Sequence, residues 1–154
     1  MGDFVTAVFV WLHLSSVVVW VGGVFFIIFV ATPSSRQTLG QDAGKLMGAV
    51  SKRFTPLANY SILVLAITGA ALVLEGYFSG AVPVEGNRSL ILSAKVILGF
   101  GMIAVHFYRG LFLGPRIART EAPAKKTTLQ RLSVNLVRLN LALGAIIMLL
   151  AVIL

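Results

Sequence analysis

The sequence predicts an all-α integral membrane protein, folded as one up-down bundle of four helices over residues 1–154. Of its 154 residues, 58% are hydrophobic and only 12% are charged, whereas a soluble domain carries about a quarter charged residues. Four stretches stay mostly apolar over the roughly 20 residues that a helix needs to cross the hydrocarbon core. Short connections between consecutive spans favour antiparallel neighbours in such a bundle.

The first two spans have a recognisable start. The first follows Asp3, and its long apolar run without a basic leader is unlike a cleaved signal peptide. The second follows Pro56, and proline suits the first turn of a helix. Between these two spans, apolar residues recur at helical spacing, which predicts a short interfacial helix. The spans are predicted at 4–32, 57–74, 89–114 and 132–154, and the interfacial helix at 38–54.

Basic residues set the expected orientation. They concentrate in two connections, 33–56 and 115–131, so the positive-inside rule places both loops in the cytoplasm and both termini outside. The net charge of +8 is then explained by topology and by anionic lipid headgroups, with no case for nucleic acid. We therefore expect the inner membrane of a prokaryote. The nine loop cations are Arg36, Lys45, Lys52, Arg53, Arg116, Arg119, Lys125, Lys126 and Arg131.

The chain contains no cysteine. This excludes a disulfide framework, thiolate metal sites, iron–sulfur clusters and covalently attached c-type haem. Histidine, methionine and oxygen donors remain as metal ligands.

Ionisable residues inside spans are costly and mark functional positions by default. In the third span, Lys95 and His106 lie 11 residues apart, close to three helical turns, so they share one face. A face of the first span carries His13 and Trp20. The third-span face also carries Met102 and Arg109. The corresponding face of the fourth span carries Arg131, Asn135, Arg138 and Ala142.

Two histidines on different spans predict a b-type haem, because haem iron takes neutral imidazole and helix bundles bury the macrocycle between facing helices. His13 and His106 differ in depth by ~12 Å at 1.5 Å per residue. A tilted haem with both imidazoles, a haem with one histidine and Met102 or Met148, and two separate haems all remain open.

The propionates of a haem need cationic partners, and the sequence offers Arg138, Arg109 or Lys95. Trp20 is the candidate cavity wall. Packing is the competing interpretation for all these residues: each histidine can be satisfied by a hydrogen bond between helices, and Lys95 and Arg109 can extend to the headgroups. Asn135 and Asn140 are expected to be such interhelical hydrogen bonders.

Short motifs in all four spans carry a family resemblance. They are Trp11-Leu12-His13 with Trp20-Val21-Gly22-Gly23, Arg53-Phe54-Thr55-Pro56 with Thr68-Gly69, Ala94-Lys95 with His106, and the segment 131–144.

These motifs resemble the copper-resistance D (CopD) family and the HemJ-type protoporphyrinogen oxidases, both four-helix membrane proteins. The resemblance implies a membrane bundle that binds haem b. In the oxidase type it implies that His13 and Lys95 are the essential catalytic pair, and in the CopD type it implies copper handling.

The prediction we favour is a haem-b electron-transfer protein, alone or as a small subunit of a respiratory complex. A porphyrinogen oxidase, a copper transport protein and a cofactor-free structural subunit are the alternatives, so enzymatic activity is left open. Expected partners are membrane lipid, other membrane subunits or a second copy, and a quinone or redox carrier.

Overall fold

A computed structural model describes residues 2–81 and 86–153. The chain divides into two compact units, residues 1–83 and 84–154. Leu154, the end of the fourth predicted span, lies outside the described residues. The helices are α1 Asp3–Val17, α2 Gly23–Phe26, α3 Thr32–Leu39, α4 Ala43–Phe78, α5 Asn87–Phe107, α6 Gly114–Arg119 and α7 Pro123–Ile153; wider π-helical turns join them at Val18–Gly22, Ile27–Ala31 and Tyr108–Leu113, and a 3-10 turn at Gly40–Asp42.

The protein is all-α, as predicted, and the described residues contain no strand. Among the described residues, three helical runs are long and apolar enough to cross a membrane, Asp3–Phe78, Asn87–Arg119 and Pro123–Ile153. Their exposed faces carry large apolar side chains such as Phe29, Ile67 and Phe100. Such faces suit lipid, because water would make this exposure unfavourable. The chain is therefore a helical membrane protein.

The first unit is a helical hairpin. The run from Asp3 changes direction at Gly40, whose φ of +51° lies in the region that glycine adopts without a Cβ penalty. After this turn, α4 returns along α1 and packs against it. The Thr6 hydroxyl donates to Glu75 Oε1 at 2.7 Å near the open end of the hairpin.

The second unit is also a hairpin, in which α7 packs against α5. Thr120 has extended backbone and ends α6, and its hydroxyl donates to the Arg116 carbonyl oxygen at 2.7 Å. The Asn140 side-chain nitrogen donates to the Met102 carbonyl oxygen at 3.1 Å across the two helices. The expected interhelical hydrogen bond is confirmed for Asn140, whereas Asn135 is exposed.

The continuous helical runs are longer than the predicted spans. The expected interfacial helix at 38–54 is replaced by a turn and then by α4, which continues from Ala43 through Pro56 to Phe78. Likewise, α7 begins at Pro123 rather than near residue 132. Hydropathy marks where the apolar run ends, and a helix with polar side chains continues beyond that point because its backbone is satisfied internally.

Candidate functional site

His13 is held against α4 by a threonine. Its Nδ1 lies 2.9 Å from Thr68 Oγ1, and Thr68 is only 2% exposed. The same threonine oxygen lies 2.7 Å from the carbonyl oxygen of Val64 on its own helix. The Leu65 carbonyl oxygen, at 3.4 Å, is a weaker third contact on the same helix. The shorter two contacts thus join Thr68 to both helices of the first hairpin.

These two contacts fix the direction of the hydrogen bond from His13. A threonine has one hydroxyl proton, and a carbonyl oxygen can only accept, so Thr68 donates to Val64. Thr68 must therefore accept from His13, and the imidazole carries its proton on Nδ1. In the neutral ring, Nε2 is then the nitrogen with the lone pair that can bind a metal.

Gly69 leaves space for the His13 ring beside α4. A Cβ built on Gly69 would lie 3.3 Å from His13 Cε1, a contact tighter than packed side chains usually make. The glycine therefore lets the imidazole approach the backbone of α4. Thr68 and Gly69 together position the ring from two neighbouring residues.

The predicted face of the first span is its buried side. Ser16 and Trp20 are 7% and 5% exposed, respectively. One turn further, Gly23 touches the ring of Phe54, which would overlap any added Cβ. Trp20 is thus a packed residue on the same face as His13.

In the second unit, Met102 and His106 lie one turn apart on the buried side of α5. They are 4% and 8% exposed. The His106 ring also meets the Phe107 ring edge-on, with centroids 5.4 Å apart. Lys95 and Arg109, predicted on this face, are half-buried.

Asn140 has one buried atom without a hydrogen-bond partner. Its side-chain nitrogen bonds to Met102, but Oδ1 has no partner among the described residues. The residue is 7% exposed. A buried acceptor without a partner costs free energy, so this position is an exception to the otherwise apolar packing of α5 and α7.

The expected polar face of the fourth span is not the buried one. Asn140 and Gly144 pack inward, and Arg138 lies two residues from Asn140, roughly 200° around the helix. It is therefore exposed. Met148 is exposed as well, unlike Met102. The exposed residues of that predicted face are Arg131, Asn135, Arg138 and Ala142.

Each of the two units contains one histidine. Within residues 2–81 and 86–153, no three His, Cys, Asp or Glu side chains come together. A haem suits this donor set, since the porphyrin supplies four iron ligands and the protein needs to add only one or two. His13 belongs to the first unit, and His106 and Lys95 belong to the second.

Sequence reasoning identified the two histidines but not how His13 is oriented. In the sequence, Thr68 and Gly69 stand out only as part of a family motif. The spacing of residues within one helix carries no information about a partner on another helix. The register of α1 on α4 was the missing signal.

Residues 15–126 match the family described as a domain of unknown function, DUF4149. The match includes Trp20, Lys95 and His106 and leaves His13 and Arg138 outside. No curated protein matches the chain, and no solved structure does.

Proposed function

We propose that this chain, which belongs to the DUF4149 family, binds haem b in the membrane and transfers electrons. It would act alone or as a small subunit of a respiratory complex. When bound, the haem would supply one-electron transfer. The residues of the chain would hold the iron, exclude water and set the environment of the ring.

The hydrogen bond from His13 to Thr68 carries this proposal. A histidine that binds a metal almost always donates its other ring N–H to an oxygen, which fixes the tautomer and the ring orientation. Nδ1–H to Thr68 Oγ1 at 2.9 Å is such a bond. It presents Nε2 as the ligand nitrogen, and Gly69 gives the ring space beside the helix.

His106 is the second candidate ligand. It is buried in an apolar helix pair, an environment that excludes water from a cofactor. Met102 on the same side of α5 is a further candidate donor. Among the cations, Lys95 and Arg109 are the half-buried candidates for the propionates, and Arg138 is the exposed one.

We further propose that the chain crosses the membrane four times. The turn at Gly40 and the packing of α1 on α4 support two crossings by the first run. Basic residues near Gly40 and in the adjoining ends of α6 and α7 favour a cytoplasmic side for both of these turns and an outer side for both termini. This topology favours electron partners within the membrane, such as a quinone or another subunit.

A cofactor-free packing role is the second candidate, and the same bond favours it. Thr68 satisfies one polar atom of His13, as a structural histidine between two helices also requires. The two candidates differ in what exogenous imidazole can do, because imidazole replaces a metal ligand but not a packing contact.

Haem content of single variants tests the proposal. We expect His13→Ala to lose haem from the detergent-purified protein and imidazole in the buffer to restore it. Leu14→Ala, at the exposed neighbour in α1, is the matched control and should keep its haem. His106→Ala is compared in the same way with Phe107→Ala.

Haem content that is unchanged in both histidine variants would overturn the assignment of ligands. If His13→Ala is folded and loses haem, but imidazole does not restore it, His13 acts through packing alone.

A further inference from the structure

An open cavity lies where α6 turns into α7. Its volume is about 520 Å³. Three cations and two large apolar side chains line it, and Thr120 lies between them. The lining residues used below are Leu111, Phe112, Arg116, Arg119, Thr120 and Lys125.

The cations of this cavity have no carboxylate partner in the part of the chain that the structure describes. The ion pair found there joins Lys45 to Asp42, in the other unit. Thr120 is already committed, because its hydroxyl donates to the Arg116 carbonyl oxygen. Arg116, Arg119 and Lys125 thus leave a concentrated positive charge, which calls for an anion.

Part of the cavity lining is apolar and exposed. Leu111 and Phe112 are 65% and 67% exposed, and the Phe112 ring stacks with Tyr108 at 6.0 Å. Leu111 and Phe112 lie near the end of the apolar part of the helical run, and the basic residues begin just after Pro115. Such a change from apolar to basic side chains marks the level of the lipid headgroups.

We propose that this cavity binds an anionic phospholipid of the bilayer. Arg116, Arg119 and Lys125 hold the phosphate, since guanidinium groups bind phosphate oxygens in pairs. Leu111 and Phe112 support the start of an acyl chain. A free phosphate ion would contact only the cations, whereas a lipid contacts both the cations and the apolar part of the lining. The inference does not depend on haem binding.

Native mass spectrometry of the full chain in detergent tests this proposal. The lining triple variant Arg116→Gln/Arg119→Gln/Lys125→Gln is compared with Arg36→Gln/Arg131→Gln/Lys126→Gln, which removes the same charge outside the cavity. Each cation that lies against the bound anionic headgroup increases the binding affinity by roughly a factor of five. We therefore expect the lining variant to bind phosphatidylglycerol roughly 100-fold more weakly, and the control to bind like the original chain.

Four comparisons test the proposal further. If the lining triple does not fold, Lys125→Gln against its neighbour Lys126→Gln gives the same comparison at one position, with weaker binding expected only for Lys125→Gln. Equal loss in the lining and control variants would overturn the proposal, because net charge would then explain binding. It is also overturned if phosphatidylcholine binds as well as phosphatidylglycerol, or if inorganic phosphate displaces the lipid.

Discussion

At the scale of single residues, one hydroxyl group connects two helices and one imidazole. The Thr68 hydroxyl donates a hydrogen bond to the Val64 carbonyl oxygen and accepts one from His13 Nδ1. A side chain of the same shape without the hydroxyl would leave the backbone of α4 intact. It would also leave the His13 ring without the bond that fixes its tautomer.

Thr68→Val is therefore expected to weaken haem binding by about 10-fold or more, the usual cost of removing a group that orients a metal ligand. Hemin titration of the purified variant measures this. Thr55→Val is the control, because Thr55 is on the same helix and its hydroxyl donates only to the Ser51 carbonyl oxygen. Equal hemin affinities of the two variants would show that Thr68 does not orient a ligand.

Asn140 allows a second prediction at this scale. Asn140→Leu removes one hydrogen bond to Met102 and one buried acceptor without a partner. Because these effects oppose each other, the free energy of unfolding should change by less than about 1 kcal/mol. Thermal unfolding in detergent measures it, with exposed Asn135→Leu as control. A loss of more than about 2 kcal/mol would mean that Oδ1 has a partner such as a bound water.

The sequence was sufficient to find His13 and His106, because ionisable residues stand out in an apolar span. It was not sufficient for Gly69 or for the exposure of Arg138. Glycine in a membrane helix is common, and only the register on α1 shows which side chain it admits. The face of α7 was predicted from its charges, but Asn140 and Gly144 pack inward instead.

At the scale of elements, small residues set the approach of the two helices in the first hairpin. Gly23 lies against the ring of Phe54, whereas a Cβ on Gly22 would meet nothing within 4 Å. Two neighbouring glycines thus differ completely in what surrounds them. The sequence predicts close packing near this pair but does not say which glycine makes it.

Gly23→Ala should destabilise the protein by roughly 1–3 kcal/mol, since the added methyl group overpacks the contact. Gly22→Ala is the control and should be close to neutral. The double variant Gly23→Ala/Phe54→Leu should recover part of the loss, because the smaller side chain makes room. Thermal unfolding of the original chain, these three variants and the single variant Phe54→Leu in one detergent measures this. Additive effects of Gly23→Ala and Phe54→Leu would contradict the assigned contact.

At the scale of the whole molecule, the all-helical character of the chain was predictable, whereas the residues at which the helices begin and end were not. Hydropathy gave the apolar runs, but α4 and α7 begin well before them, because basic and polar side chains continue a helix into the headgroup region. The change of direction at Gly40 depends on a positive φ, which a glycine permits and does not by itself predict.

Four crossings predict a definite pattern of accessibility. The chain contains no cysteine, so single substitutions report cleanly. Cysteines replacing Gly2 or Ser79 should react with an impermeant maleimide in intact cells. Those replacing Thr38 or Thr127 should react only after the membrane is opened. Labelling of Thr38→Cys in intact cells would contradict the cytoplasmic turn at Gly40.

The visible spectrum of the detergent-purified protein, oxidised and then reduced with dithionite, tests the central claim most directly. Haem b held by His13 predicts a Soret band and a sharp α band on reduction, with a pyridine haemochrome of the b type. A colourless protein that also fails to take up added hemin would contradict the account, and the hydrogen bond from His13 to Thr68 would then be a packing contact.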